Sequence, residues 1–288
     1  MRQRGFTLVE LIVVIVVTGV LAAGLVVFFR PALDSYAMAT RRATLTDLAD
    51  GAVRTMVRDV RSAVPNSIRQ PNDQCFEVVP TSAGGRLRVG PDIASTAADT
   101  GAWVDTNEQT TKFDVISTLS SVPAINDQVV FGAYTPVDVY GGASRGTITA
   151  VAPPPQGATG PALGTLRISI AQKQFPAGYE GGRFVIVPNA QQAVFYTCAN
   201  AGLDANGNGT GTLYRFSAYG FEANQANTCK VPAASTAIVA TRIEKCEFNY
   251  DPNPGSVQGA GYMQMRLRLT EQGDSVDLLY GAHADNLP

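Results

Sequence analysis

Glu10 is the residue in this chain that most demands a chemical reason. It stands one position before Leu11 to Phe29, nineteen residues that carry no charge until Arg30. As a helix such a run spans about 28 Å at ~1.5 Å per residue, close to the ~30 Å hydrocarbon core of a bilayer. A carboxylate on such a helix costs roughly 2–3 kcal/mol in a membrane. Neither a cleaved secretory signal nor a plain signal anchor needs one. Upstream lie the short basic stretch Met1-Arg2-Gln3-Arg4 and then Gly5-Phe6-Thr7-Leu8-Val9. Arg2 and Arg4 keep the N-terminus cytoplasmic, so the bulk of the chain faces outward. Ala22-Ala23-Gly24 offers a site for ordinary signal cleavage, but that reading leaves Glu10 unexplained. The first cysteine is Cys75, which excludes a lipoprotein signal.

Other reactive groups are few. The chain has one histidine, His283, so a multi-histidine metal site is excluded. There is no G-x-S-x-G and no phosphate loop, and no catalytic set emerges. The reading is therefore that the protein is not an enzyme and carries no cofactor. Four cysteines, Cys75, Cys198, Cys229 and Cys246, suit two disulfides in an outward-facing head. Three pairings are open. The reading favours Cys198–Cys229 with Cys75–Cys246, and the alternative joins Cys198 to Cys246, both on strands. There is no C-x-x-C to support redox work or a zinc knuckle. Asp204-Ala205-Asn206-Gly207-Asn208-Gly209 resembles the first half of a calcium loop, with Asp204, Asn206 and Asn208 at alternate positions and a glycine at the sixth. The twelfth position is Arg215, which opposes a cation, and such runs are also ordinary turns. Trp103 and the Tyr134–Tyr140 region are candidate aromatic platforms for an adhesin that binds glycans.

Composition bounds the elements that must position these groups. The 288 residues are 45% hydrophobic and 16% charged, which excludes a disordered chain, a coiled coil and a collagen. A formal charge of −2 gives no bulk basic surface for nucleic acid. Twenty-eight glycines and 17 prolines favour short strands and turns over a helical bundle. Ala32 to Val64 predicts an amphipathic helix, with Leu33, Ala37, Leu45, Leu48, Ala52, Met56, Val60 and Ala63 at spacings of threes and fours. Arg54, Arg58 and Arg61 form a second stripe for solvent, lipid phosphates or a partner subunit. Pro31 kinks the rod or marks its first turn, and Pro65 stops it. Gly19 and Ala23, with Ala22 and Gly24, suit close helix approach or simply lower hydrophobicity.

After Pro65 the period changes to two. Tyr262 to Thr270 alternates strictly, and Cys246, Phe248 and Tyr250 share a face, as do Val276, Leu278 and Tyr280. Further strands are expected at Cys75–Val79, Arg86–Val89, Lys112–Ile116, Gln128–Phe131, Leu166–Ile170, Arg183–Val187, Val194–Cys198 and Thr212–Phe216. The fold class is α+β: one long N-terminal helix, transmembrane then amphipathic, packed on an antiparallel β-rich head.

Gly5-Phe6-Thr7-Leu8-Val9-Glu10 before an apolar run resembles the type IV prepilin cleavage and methylation motif. The resemblance implies cleavage between Gly5 and Phe6 by a prepilin peptidase and N-methylation of Phe6. Loss of Arg2 and Arg4 takes the formal charge from −2 to about −4. Glu10 then becomes an assembly residue that meets a neighbouring subunit's amine, since opposite charges attract strongly in low dielectric. Dispersed segments are similar to the MshO-type minor pilins of mannose-sensitive haemagglutinin (MSHA) pili. They are Arg58 to Arg69, Cys75 to Pro80, Val194 to Cys198, Gly211 to Phe216, Cys246 to Tyr250 and His283 to Pro288. PilW of type IV pili and the J-type minor pseudopilins of type II secretion are related.

The resemblance implies a leader at 1–5, a transmembrane and filament-core helix at 6–29, an amphipathic stalk at 30–64 and a periplasmic or extracellular head at 65–288. It implies a minor pilin that starts or caps a filament, a pseudopilin being the alternative. The expected partners are other minor and major pilins, the prepilin peptidase, the inner-membrane assembly platform and the inner membrane itself. Nucleic acid is not among them. The expected location is the inner membrane, single pass with the head in the periplasm, and then the filament at the cell surface.

Overall fold

The computed structural model describes residues 7–91, 93, 101–154, 164–177, 182–224, 227–253 and 259–286. The α+β layout is the expected one: a long N-terminal helix followed by an antiparallel β head. Helix α1 is Leu8–Arg61, 54 residues, or about 80 Å of rod. Thr7 caps its start, and Glu10 closes a capping box on it. Arg58 and Arg61 in the last turn complement the dipole. Pro31 lies inside the helix. It neither ends the rod nor starts it, because a proline removes only one i→i−4 bond from a ladder long enough to hold without it.

The helix ends at Arg61, three residues before the expected Val64. The sheet takes the backbone before Pro65 can act. Val64 N–H donates to Val79 O at 2.8 Å and Thr81 N–H to Ser62 O at 2.8 Å.

Thirteen strands and one short helix follow among the described residues: β1 Arg69–Asn72, β2 Cys75–Val78, β3 Ala83–Arg86, β4 Thr110–Val115, β5 Gln128–Val130, α2 Pro136–Tyr140, β6 Arg145–Ala152, β7 Leu166–Lys173, β8 Arg183–Val187, β9 Val194–Ala199, β10 Gly211–Phe216, β11 Ala237–Asp251, β12 Ala260–Glu271 and β13 Asp274–Asp285. They form two sheets rather than one. The first has the order β1-β2-β9-β10-β11-β12-β13 and the second β3-β8-β5-β6-β7-β4.

Helix α1 covers the first sheet, touching β11, β12 and most of all β13. Strict alternation of Tyr262 to Thr270 works as it must. Met263, Met265, Leu267 and Leu269 are fully buried against the helix side, and the residues between them face out. The core they share contains Leu45, Ala49, Ala52, Met56 and Val60 of the helix.

The second sheet closes on itself. Its end strands β3 and β4 meet at Leu87 and Val115, where Arg88 N–H donates to Asp114 O and Ile116 N–H to Arg86 O, each at 2.9 Å. The result is a small barrel. Its inside is filled by Phe113, Phe131, Phe175 and Phe184, with ring centroids 4.6 to 5.3 Å apart in edge-to-face contacts. A third apolar cluster, including Val64, Val79, Val130 and Tyr140, fills the seam between sheet and barrel.

Candidate functional site

The apolar half of α1 presents a helix surface with nothing on it. From Leu8 to Phe29 every residue is exposed, and the mean hydropathy of an 18-residue window reaches 3.0. Gly19 and Gly24 have no atom within 4 Å of where a Cβ would stand. The small residues therefore pack on nothing within a single chain.

At the head of this segment the Glu10 carboxylate folds back on its own N-cap. It accepts from Thr7 N–H at 3.4 Å and from the Thr7 hydroxyl at 3.5 Å, while Glu10 N–H donates to Thr7 Oγ1 at 3.3 Å. The carboxylate thereby sits at the positive end of the helix dipole. The same geometry points it toward the chain's N-terminal side. Gly5 and Phe6 lie outside the described residues.

The other half of α1 is held by the head. The expected apolar stripe from Leu33 to Ala63 is fully buried only from Leu45 onward; Leu33 is exposed and Ala37 half-buried. Arg41 marks where the grip begins: its guanidinium donates to Asp274 Oδ2 at 2.8 and 3.0 Å. Deeper in, Asp59 is a buried carboxylate on the covered face. Its Oδ2 accepts from Tyr196 Oη at 2.6 Å and from Arg215 Nε at 2.9 Å. Arg215 Nη2 donates in turn to Gln191 Oε1 at 2.7 Å. Burial and the Asp59 charge push the Tyr196 hydroxyl well above its ordinary range, so it stays a donor. Burial alone would lower the Arg215 guanidinium, but its hydrogen bonds and charge contact with Asp59 outweigh that and raise it. Arg58, Arg54 and Arg61 do not join this grip. They line an open groove beside Tyr280 of β13, where Arg54 pairs only with Asp50 one turn back, at 2.6 Å.

A second buried pair locks the seam. Arg69 of β1 donates to Glu77 of β2 at 2.9 Å, and both side chains are nearly solvent-free. Tyr219 Oη donates to the other carboxylate oxygen at 2.5 Å. The Arg69 guanidinium lies 3.4 Å over the Tyr140 ring, whose hydroxyl donates to Ser67 O at 3.0 Å. Burial first, and then the Glu77 charge, drives both tyrosine hydroxyls upward. Every oxygen here is occupied, so the cluster holds structure and leaves no group to act on a substrate.

The cysteines pair as Cys75–Cys229 and Cys198–Cys246, with Cα atoms 5.6 and 6.5 Å apart. This replaces the favoured Cys198–Cys229 and Cys75–Cys246. Strand alternation is the reason. Phe76 and Val78 of β2 face the helix-covered core, so Cys75 between them and the turn faces the other way. Cys198 and Cys246 both face that core.

The Asp204 loop joins β9 to β10 as a self-satisfied turn. Asp204 Oδ1 accepts from Asn206 and Asn208 N–H at 2.8 Å each, and Oδ2 from Asn208 Nδ2 at 3.0 Å. Those bonds, led by the Asn208 backbone, hold the Asp204 carboxyl below its ordinary range. Asn208 Oδ1 accepts from Gln272 N–H at 2.9 Å and pins the loop to the β12–β13 turn. The oxygens proposed for calcium thus serve the turn itself.

Tyr140 is buried and Tyr134 exposed, so the two do not make one aromatic platform. His283 is exposed on β13, 5.1 Å from the Tyr262 ring. Sequence reasoning missed the Asp59–Tyr196–Arg215 grip. Its signal was available: Asp59 shares the helix face of Met56 and Ala52, where a lone carboxylate needs a partner.

Residues 1–26 match the model of the prokaryotic N-terminal methylation motif, the signal of type IV pilins and pseudopilins. The N-terminal segment is thus pilin-like, and with the exposed apolar helix it points to membrane anchoring. Such a motif implies processing by a prepilin peptidase and assembly with other pilins. The motif suggests a structural protein. No curated protein and no solved structure matches the chain.

Proposed function

We propose that this protein is a minor pilin of a type IV, MSHA-like pilus, and that it takes part in starting or capping the filament. One observation carries the reading: the methylation motif opens a 54-residue helix whose first half is bare and apolar and whose second half is clamped to a folded head. A helix bare of contacts over its apolar half needs a second environment. The membrane supplies it before assembly, and the helices of other pilins supply it afterwards. Cleavage after Gly5 would place a new amine at Phe6, close to where Glu10 now bonds Thr7. In a filament the Glu10 carboxylate exchanges that weak local bond for a neighbour's amine in low dielectric, where each charge alone is costly.

The chemistry is tested by mass spectrometry of the protein extracted from native membranes. A chain that begins at N-methylated Phe6 is the expected result. A chain that begins near Leu25 would overturn the reading. Glu10→Val should keep the head folded and lower entry into sheared pili at least tenfold. Wild-type incorporation would remove the charge-pairing argument.

A further inference from the structure

The seam between the helix exit and the barrel contains a mostly apolar cleft of ≈ 270 Å³. Val64 and Pro65 form one side, just beyond α1. Val130 and Val185 of the barrel's outer face contribute to the lining. Two glycines, Gly84 and Gly132, also line it, and the hollow exists because they have no side chains. At Gly84 a Cβ would meet Phe184 O and Val185 Cγ1 at 3.4 Å, an ordinary contact. The space over Gly84 is therefore open, and the backbone there does not forbid a side chain.

The same cleft holds two arginines that face each other. Arg86 of β3 and Arg183 of β8 are direct cross-strand partners in the antiparallel register. Both point away from the barrel core, as the alternation Ala83 in, Gly84 out, Arg86 out and Phe184 in, Arg183 out requires. Directly opposed like charges destabilise a strand pair. Neither guanidinium has an ion pair or side-chain hydrogen bond among the described residues. The one carboxylate in the lining, Asp285, is already engaged in an interaction of its own. Arg69, Arg167 and Arg215 are matched with Glu77, Asp114 and Asp59. Arg86 and Arg183 stand exposed at the rim of the cleft, with no such carboxylate partner among the described residues.

We propose that the Arg86–Arg183 cleft binds a small amphipathic carboxylate, its apolar body in the hollow over Gly84 and its carboxylate across the two guanidiniums. Two adjacent forks of N–H donors match the two oxygens of a carboxylate, and an anion there removes the repulsion between the arginines. The cleft is slightly smaller than the usual range of small-ligand sites, which begins at about 300 Å³, and has a few polar groups on an apolar lining. That limits the body to roughly one ring or a short branched chain.

The probe is 3-phenylpropionate, titrated into the full chain in lipid nanodiscs, with the neutral 3-phenylpropanamide and inorganic phosphate as comparisons and empty nanodiscs as background. Binding is read by calorimetry and by shifts of the Val130 and Val185 methyl signals. The acid should bind at least tenfold more tightly than the amide and than phosphate. Arg86→Gln with Arg183→Gln should erase the difference between acid and amide. Gly84→Ile fills the hollow with a strand-favouring side chain and should abolish binding of both at an unchanged melting temperature. The proposal fails if the acid does not bind up to millimolar concentration. It fails equally if amide or phosphate matches the acid, or if a folded Gly84→Ile chain binds as the wild type does. Should Gly84→Ile lower the melting temperature, the arginine double variant decides by itself.

Discussion

The two halves of α1 are one unbroken helix in two different situations. Leu11 to Phe29 is uncharged on every side and touched by nothing, whereas Leu45, Met56 and Val60 are fully buried on one face. A helix apolar all round is built to be surrounded, and one with a single apolar stripe is built to lie on a sheet. The chain changes from the first pattern to the second within a dozen residues, around Arg41 and its contact with Asp274. What differs is not helix propensity but the solvent each half is written for. The head stabilises only the second half; the first is left for lipid or for other copies of such helices.

The comparison breaks most visibly by truncating one side chain in each half. Met56→Ala removes a fully buried side chain between helix and sheet and should cost about 4 kcal/mol. Leu21→Ala, 61% exposed, should leave the melting of the head unchanged in nanodiscs or detergent. Thermal denaturation followed by near-ultraviolet circular dichroism separates the two. Equal shifts would show that the halves are not energetically distinct.

The second prediction sharpens the contrast with charge in place of methyl groups. Asp50 and Asp59 lie on the same helix, and each pairs with an arginine. Asp50–Arg54 is exposed, and such pairs contribute about 0.3–0.5 kcal/mol. Asp59 is dry, and its removal strands both Arg215 and Tyr196. Asp59→Ala should cost about 3 kcal/mol, against about 0.4 kcal/mol for Asp50→Ala. A cycle with Arg215→Met isolates the coupling. A loss under about 0.5 kcal/mol at Asp59 would mean that packing alone holds the helix to the head.

Why the sequence disclosed some of this and not the rest is itself physical. The N-terminal run and the alternation of β12 are local patterns, set by one solvent or one sheet face, and both were legible. The barrel was not, because its closure depends on Leu87 meeting Val115 across the chain, and no local period encodes that pairing. Strand β6 was missed because its apolar positions are Gly146, Ile148 and Val151, weakened by a register shift between Ile148 and Ala150. Helix α2 was missed although Thr135-Pro136 with Asp138 is a start signal; Asp138 Oδ2 accepts from Thr135 N–H at 2.8 Å. The disulfides were legible in principle. Cys75 and Glu77 alternate with Phe76 and Val78, and that parity already sets Cys75 apart from the face shared by Cys198, Tyr196 and Val194.

The smallest expected effect separates a surface that is bare because it awaits a partner from one that is finished in water. On the outer face of β11, β12 and β13, Arg266 lies between Glu247 and Asp277, bonding Asp277 at 2.7 Å. Hydrogen bonding from Arg266, with its charge, holds the Asp277 carboxyl below its ordinary range, against a smaller opposing effect of burial. A depressed folded-state pKa stabilises above the unfolded value of about 3.9 and loses that contribution as pH falls through the folded value. Asp277→Asn should therefore lower the melting temperature slightly at pH 7 and at pH 5. The gap to wild type should close below about pH 4, and 1 M salt should shrink it at every pH because the pair is solvent-exposed. The apolar half of α1 should respond in the opposite sense, since salt strengthens the withdrawal of bare apolar surface from water. Self-association of the full chain in dilute detergent should rise with sulfate while the Asp277 contribution falls. If salt moved both in the same direction, exposure alone would describe the two surfaces and the distinction between an unfinished face and a solvated one would not hold.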